Sequence, residues 1–296
     1  MKREIASVKS VHDSRAVLIL GMHRSGTSAL SRSLQALGVY LGNNFLEDQP
    51  DNPTGYWEDK GIYQLNERAL SVCGVRWEDV SLIDDSKWSQ PELQALGSEA
   101  ADYVRASFGG HPLWGFKDPR FVRLLPFWQP IFQSLGVDAS YVIAIRNPRS
   151  VSISLFDRQG MDQIAARMLW LVYMVPYLHM LKGKPFVVTD YDVLMADPHR
   201  QLERIARALN LPLKEEYFAA IDDFANHFLN PNLRHSFFGP DDFDLDPSLS
   251  PLPGEAYLWL RMLATDEIPS NSSRFWTAWE RMSRSLTALV GSSSTE

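Results

Sequence analysis

The sequence is short of cysteine, of net charge and of long apolar runs, and each shortage excludes a class of protein. A single cysteine, Cys73, excludes an internal disulfide framework and a cysteine-rich zinc site. The formal net charge of -7 argues against a broad nucleic-acid-binding face, but it allows a small basic pocket for a compact anion. We expect no apolar stretch of the roughly 18 residues that cross a bilayer and no targeting segment, and therefore predict a cytoplasmic protein.

What remains has the composition of an ordinary globular protein. Hydrophobic residues make up 45% and charged residues 22% of the 296 positions, enough for one sizeable core. We therefore predict a single domain over residues 1–290, followed by a disordered tail at 291–296. The sequence shows neither a heptad pattern nor an interface stripe, so it leaves the oligomeric state open.

Apolar runs and helical patterns alternate along the chain. Short apolar runs predict buried parallel strands at 16–20, 113–116, 141–145 and 185–189. Helical spacing predicts helices after the first strand and at 121–135, 161–181, 198–209, 257–263 and 275–289. This alternation predicts an α/β fold with a parallel sheet flanked by helices. Together with the glycine loop at 21–28, it predicts a three-layer sheet of the P-loop type. Residues 39–112 contain turn formers but no clear strand, and they predict an inserted, mostly helical or loop region near the active site.

A glycine-bounded loop follows the first strand. Residues 21–28 read GMHRSGTS and lead into a helix, so their backbone N–H groups and the helix N-terminus can converge on a phosphate or sulfate. The spacing matches the nucleotide P-loop, except that Thr27 replaces its lysine. That replacement argues against ATP or GTP chemistry, whereas Arg24 offers the anion a permanent cation with a planar fork of donors.

A second strand end carries basic and hydroxyl residues. Residues 146–154 read RNPRSVSIS, so Arg146 directly follows the third strand and Ser154 lies about two helical turns further on. In parallel sheets, ligands bind outside the carboxyl ends of the strands. We therefore expect Arg146 and Ser154 to face the same crevice as the glycine loop.

With these two motifs, the chain resembles the sulfotransferases that use 3′-phosphoadenosine-5′-phosphosulfate (PAPS), especially bacterial and carbohydrate-type members. The resemblance covers about residues 17–211 and implies a PAPS donor without a metal. It implies that the 5′-phosphosulfate is held by the loop residues Arg24, Ser25, Gly26, Thr27 and Ser28. It implies that Arg146 and Ser154 hold the 3′-phosphate and that Tyr191 lies near the nucleoside. The Arg-Lys-Gly segment of many cytosolic members is missing, and Arg234 is the candidate to replace it.

Three residues compete for the role of general base. Residues 114–120, WGFKDPR, place Lys117 and Asp118 at a strand end and resemble the family's lysine segment, but without the histidine that follows it in many cytosolic members. Carbohydrate-type members use a glutamate, so Glu58 is the first candidate, Asp118 the second and His23 the third. Lys117 and Arg24 are expected to stabilise the transferred charge.

The same resemblance favours a hydroxyl of a sugar or glycan as acceptor. A P-loop kinase of a small metabolite would also explain the glycine loop and the α/β pattern, although the loop lysine is missing. A third interpretation is a catalytically silent anion-binding protein that kept the fold and lost its base.

Overall fold

Four parallel strands form the centre of the molecule, a computed structural model that describes residues 11, 14–47, 55–230, 236–239, 242 and 250–292. The strands are β1 (Arg15–Leu20), β2 (Leu113–Trp114), β3 (Asp138–Ile145) and β4 (Phe186–Asp190), and their order in the sheet is β2-β1-β3-β4. All three strand pairs are parallel. The sequence predicted all four strands, and each of β1, β3 and β4 ends within one residue of its predicted end.

Strand β2 is shorter than the predicted strand at 113–116. Beyond Trp114, the chain keeps only an isolated parallel bridge between Lys117 and Ile19. A Cβ at Gly115 would lie 2.1 Å from the carbonyl oxygen of Val17, so only glycine allows this close approach of the two backbones. The segment therefore reaches the carboxyl edge of the sheet without a regular ladder.

Helices cover both faces of the sheet. They are α1 (Thr27–Ala36), α2 (Lys60–Val72), α3 (Pro91–Phe108), α4 (Leu125–Leu135), α5 (Pro148–Gln159), α6 (Gln163–Met174), α7 (Tyr191–Ala196), α8 (Pro198–Ala208), α9 (Phe218–Asp223), α10 (Leu252–Ala264) and α11 (Ser273–Ser292). Alternate residues of β1 enter two separate cores. Leu18 and Leu20 pack with α2, α3, α4, α6, α10 and α11, whereas Val17 and Ile19 pack with α1, α8 and α9. These three layers confirm the predicted α/β architecture.

Several helix boundaries follow from local sequence. The Gly38 backbone has φ of 81°, directly after the last turn of α1. The Asp197 side chain accepts a hydrogen bond from the backbone N–H of Arg200 and caps α8. The predicted helix at 121–135 is divided into a 3-10 helix, Pro119–Leu124, and α4, whose second residue is a proline. Helix α11 continues through Ser292, two residues into the predicted tail.

The described part of the region between α1 and β2 consists of helices and loops, as predicted. Between its two long helices, α2 and α3, lies a short 3-10 helix, Asp85–Ser89. In the part of 39–112 that the structure describes, the sheet pairing is confined to isolated bridges, Tyr40 with Trp114 and Phe45 with Asp59. Residues 240–253 are rich in Asp, Pro and Ser, which predicts a surface loop, but most of them lie outside the described residues.

One segment departs from the prediction that no apolar stretch reaches membrane length. By length and composition alone, residues Gln163–Leu181 form a helical stretch of 19 residues that could cross a bilayer. Within the fold, 61% of its most apolar window is buried, and α6 packs against α5, α10 and the 3-10 helix Pro119–Leu124. This packing is that of a core helix.

Candidate active site

The glycine loop turns sharply between β1 and α1. Arg24 and Gly26 have positive φ angles of 66° and 84°. Gly26 precedes α1 as its N-cap residue and supplies no side-chain cap, so the first N–H groups of the helix keep their capacity to bind an anion. A Cβ at position 26 would lie 2.3 Å from the Tyr191 ring, so only glycine fits here. Among the described residues, the buried hydroxyl of Ser25 has no hydrogen-bond partner.

The ends of β1, β3 and β4 bring together a set of side chains that we call the strand-end group: Arg24, Gly26, Arg146, Ser154 and Tyr191. Arg24 Nε donates a hydrogen bond of 2.9 Å to Ser154 Oγ. Arg146 Nη1 lies 3.4 Å from the carbonyl oxygen of Arg24, and its guanidinium lies 4.9 Å from the centre of the Tyr191 ring. Two arginines and a set of helix N–H groups therefore converge, and this donor set fits a phosphate or sulfate ester.

A second set of charged residues, which we call the ion cluster, consists of Glu58, Glu67, Lys117, Asp118 and Arg120. Lys117 Nζ donates to Glu58 Oε1 at 2.7 Å, and Arg120 Nη1 lies 3.6 Å from Glu58 Oε2. Arg120 Nη1 is also 3.0 Å from Asp118 Oδ1, and its Nε donates to Glu67. All of these side chains except Glu67 are buried.

Local structure fixes the backbone at Glu58. The following residue, Asp59, caps α2 by accepting hydrogen bonds from the N–H groups of Gly61 and Ile62. The Leu46 N–H donates to the carbonyl oxygen of Glu58 at 2.8 Å. The carboxyl group thus projects from a chain segment that is held on both sides, which is what a catalytic group needs.

The environment shifts the pKa of Glu58 upward. Burial is the largest cause because it disfavours the carboxylate, and it outweighs the opposing attraction of Lys117. Asp118 raises the pKa further, and Arg120 lowers it. A general base is most effective when its pKa is close to the working pH, so the upward shift suits this role.

His23 lies beside the ion cluster as a neutral imidazole. Burial lowers its pKa well below the ordinary value, and Arg120 and Lys117 lower it further. Its ring packs at 4.5 Å, between ring centres, from Trp77 and at 5.8 Å from Tyr173. Its Nε2 is buried, with no hydrogen-bond partner among the described residues. Protonation of the buried ring is energetically unfavourable, so His23 is a less suitable general base than Glu58.

One backbone oxygen joins the glycine loop to the ion cluster. The carbonyl oxygen of Tyr56 accepts a hydrogen bond of 2.7 Å from Lys117 Nζ. The same oxygen is 3.3 Å from Ser28 Oγ, in the first turn of α1. The glycine loop and the ion cluster therefore meet at the carbonyl oxygen of Tyr56.

A cavity of about 590 Å³ lies between these elements. The predicted site residues that line it are His23, Arg24, Gly26, Thr27, Ser28, Glu58, Lys117, Arg146 and Tyr191. Ser25, Asp118 and Ser154 do not contribute to its lining. Asp118 has no exposed surface, and its Oδ1 accepts hydrogen bonds from the backbone and side chain of Arg120, so it does not reach an acceptor as a base would. Arg234 lies outside the described residues.

The sequence analysis missed Arg120. Arg120 lines the cavity and contacts three carboxylates, and Tyr56, Tyr63 and Trp77 are also part of the lining. The local signal for Arg120 was present, because it stands three residues after Lys117 with Pro119 between them, at the first turn of a helical segment. Within the described ranges, no group of three or more His, Cys, Asp or Glu residues could hold a metal ion.

Comparisons with known proteins identify a family for this chain. The profile of the sulfotransferase family matches residues 16–215. One similar solved structure is the sulfotransferase domain of the olefin synthase of Synechococcus PCC 7002, with 18% identity, a TM-score of 0.46, and coverage of 87% of this chain and 96% of that one. Another is a sulfotransferase of Mycobacterium tuberculosis H37Rv, with 17% identity, a TM-score of 0.44 and coverage of 75% of each chain. The comparison with curated proteins gave no match.

Proposed function

Because this chain belongs to the sulfotransferase family, we propose that it transfers a sulfuryl group from PAPS to a hydroxyl group of a sugar or glycan acceptor. The observation that carries the proposal is the joint lining of one cavity by Arg24 and Arg146 and by the buried pair of Glu58 and Lys117. The first two residues offer cations to a donor with two phosphate groups, and the second two offer a base and a cation to the reacting atoms.

The strand-end group would hold the donor. The N–H groups of the glycine loop and the guanidinium of Arg24 fit the 5′-phosphosulfate, and Arg146 fits the 3′-phosphate. Ser154 accepts from Arg24 Nε, which fixes one edge of that guanidinium between the two anion positions. The Tyr191 ring, which faces both Gly26 and Arg146, offers a flat surface to the nucleoside.

The ion cluster would perform the chemistry. The donor, when bound, supplies a sulfuryl group whose bond to a phosphate oxygen breaks as the bond to the acceptor oxygen forms. Glu58 accepts the proton of the acceptor hydroxyl, and Lys117 stabilises negative charge on the oxygens of the transferred group. Lys117 already lies 2.7 Å from Glu58, so base and cation face one reaction centre.

Calorimetric titration with 3′-phosphoadenosine 5′-phosphate tests the donor. We expect binding that does not depend on magnesium and is tighter than that of ATP. Magnesium-dependent preference for ATP would instead show that the chain is a kinase, since that chemistry uses a metal ion on the phosphates.

Transfer itself needs a separate measurement, because a silent homologue could bind the same nucleotide. Radiolabelled PAPS is incubated with a panel of mono- and oligosaccharides, with steroid and phenolic hydroxyl compounds as the comparison. We expect label on the saccharides and none without enzyme. Labelling of the phenols or steroids alone would refute the acceptor class, and tight nucleotide binding without transfer to any compound would favour the silent homologue.

A further inference from the structure

Arg120 contacts more carboxylates than any other residue of the ion cluster. It lies in the 3-10 helix Pro119–Leu124, is 6% exposed, and approaches Glu58, Glu67 and Asp118. Its guanidinium also lies 4.6 Å from the centre of the Tyr63 ring. An arginine with this many buried partners is fixed in one orientation.

We propose that Arg120 is a positioning residue that keeps the buried Glu58 carboxyl ionised and directs its Oε2 atom towards the acceptor, while Asp118 and Glu67 hold Arg120 in place. This inference rests on the proposed function, because it assigns Arg120 a task only if Glu58 is the base.

The two oxygens of Glu58 have different surroundings. Oε1 accepts a hydrogen bond of 2.7 Å from Lys117 Nζ, which occupies one of its two lone pairs. Oε2 lies 3.6 Å from Arg120 Nη1, beyond hydrogen-bond distance but close enough for strong electrostatic attraction. Oε2 is therefore the atom that can accept a proton while Arg120 stabilises the negative charge.

The charges around Glu58 come from three elements. Lys117 approaches from the segment that follows β2, and Arg120 from the 3-10 helix, which Asp118 precedes as its N-cap. Glu67 approaches from α2 through its contact with Arg120. Asp59, the next residue in the chain, turns its carboxylate to the N-terminus of α2 instead. Without Arg120, Glu58 would share its buried surroundings with Asp118 and have only Lys117 as a cation, which disfavours its ionised form.

The three carboxylates act differently on Arg120. Asp118 Oδ1 accepts hydrogen bonds from both the backbone N–H of Arg120, at 2.8 Å, and Nη1, at 3.0 Å, so it fixes the guanidinium relative to its own backbone. Glu67 holds Nε from the opposite element, α2. Burial opposes the charge of Arg120, but the carboxylates of Asp118, Glu58 and Glu67 outweigh it and raise its pKa.

The experiment measures the ionisation of Glu58 directly, without an acceptor. The protein is labelled with glutamate carrying ¹³C in the carboxyl group, and the Glu58 signal is assigned by its loss in Glu58→Gln. Its pKa is then read from an NMR titration of the wild type, Arg120→Gln, Arg120→Lys and Asp118→Asn. Circular dichroism and thermal unfolding report whether each variant is folded.

We expect Arg120→Gln to raise the Glu58 pKa by roughly one unit or more, since an opposite charge within a few ångströms shifts a carboxyl by that amount. Arg120→Lys should restore part of the wild-type value because it returns the charge without the fork of donors. Asp118→Asn should lower the Glu58 pKa, because its Oδ1 still accepts from Arg120 while a neighbouring negative charge is removed. Shifts in opposite directions would not result from a loss of structure.

Arg123 provides the matched control. It lies in the same 3-10 helix and has no exposed surface, but its guanidinium donates to the carbonyl oxygens of Arg76, Asp79 and Ser81. Arg123→Gln should destabilise the protein and leave the Glu58 pKa unchanged. If Arg120→Gln gave the same Glu58 pKa as Arg123→Gln, the proposal would be wrong. If Arg120→Gln does not fold, Arg120→Lys decides, and a Glu58 pKa equal to or below the wild-type value in that variant overturns the proposal.

Activity separates this inference from the proposed function. In Arg120→Gln, transfer should be impaired at neutral pH and recover as the pH is raised, because Glu58 then loses its proton. Affinity for 3′-phosphoadenosine 5′-phosphate should stay unchanged. If the titration shows the expected shifts but the wild type transfers no sulfuryl group, the proposed function fails while the effect of Arg120 on Glu58 stands.

Discussion

Residues of the strand-end group and of the ion cluster line one cavity, but the fold brings them there in different ways. Arg24, Arg146 and Tyr191 each follow a strand closely, so the register of the sheet places them, and their contacts include serine, carbonyl and ring atoms. The ion cluster joins three separate chain segments through contacts between buried opposite charges. Backbone and steric changes should therefore disturb the first set most, and changes of charge or pH the second.

Glu58→Gln should give the largest effect and would show whether the two sets are separable. We expect turnover to fall by about 100-fold to 10,000-fold, because the variant keeps the shape of the side chain but cannot accept the proton. Affinity for 3′-phosphoadenosine 5′-phosphate, measured by calorimetry, should stay within error of the wild type. Glu99→Gln removes a half-exposed partner of Arg68 and serves as control. Turnover equal to that of the control would exclude Glu58 as the base.

Arg146→Ala tests the strand-end group. We expect affinity for the bisphosphate to fall by roughly 10-fold to 100-fold, the usual size of a lost charge-assisted hydrogen bond. Arg149→Ala removes an arginine three positions along, whose guanidinium stacks 4.1 Å from the Phe238 ring and does not line the cavity. Its affinity should stay near that of the wild type. Equal losses in both variants would indicate a general electrostatic effect rather than a specific site.

Gly26→Ala separates steric from conformational cost within the glycine loop. Gly26 and Gly74 both have positive φ angles, but only at Gly26 would a Cβ meet the Tyr191 ring. We expect Gly74→Ala to lose about 1 kcal/mol of unfolding free energy from the strained φ alone, and Gly26→Ala to lose more. Urea unfolding measures both values. A loss no larger in Gly26→Ala would show that the ring moves aside freely.

The pH dependence of stability tests His23, which lies beside the ion cluster. Its folded-state pKa is lowered, so the unfolded chain takes up a proton below a pH of about 6.5 while the folded protein does not. Stability should therefore be lost as the pH falls, with this residue contributing up to about 1.4 kcal/mol per pH unit. In His23→Gln, urea unfolding between pH of about 4.5 and 6.5 should show a shallower slope. Above a pH of about 7.5 the two slopes should coincide, and equal slopes throughout would contradict the prediction.

Much of the fold and the strand-end group could be predicted because the signals are local. A buried apolar run followed by a glycine or arginine and then by a helical pattern specifies strand, loop and helix within about 20 residues, as at β1 and β3. Ligands bind outside the carboxyl ends of parallel strands, and this rule predicted that Arg24 and Arg146 face one crevice at that edge of the sheet, without knowledge of the strand order. Residues 163–181 also read as helical, but their apolar character reflects burial in the core.

The ion cluster could not be predicted in the same way. Glu58 and Lys117 are 59 positions apart, and Glu58 reaches its place through the cap of α2 and a bridge to the chain near Leu46. No periodic pattern encodes such a contact. Asp118 was considered as a base because it follows Lys117, but the sequence could not show that the turn at Pro119 directs its carboxylate back to Arg120.

The carbonyl oxygen of Tyr56, which accepts from both Ser28 and Lys117, has a consequence for how this protein tolerates substitution. Every amino acid carries the same backbone oxygen, so no side-chain replacement at position 56 removes this acceptor. A scan of all substitutions at position 56 would report only on the loss of the aromatic ring. It would not reveal the two hydrogen bonds that the backbone oxygen accepts. Replacement of the amide after Tyr56 by an ester, which weakens that oxygen as an acceptor, would reach it. The acceptor of this connection is thus protected from ordinary mutation, whereas its two donors, Ser28 Oγ and Lys117 Nζ, are side-chain atoms.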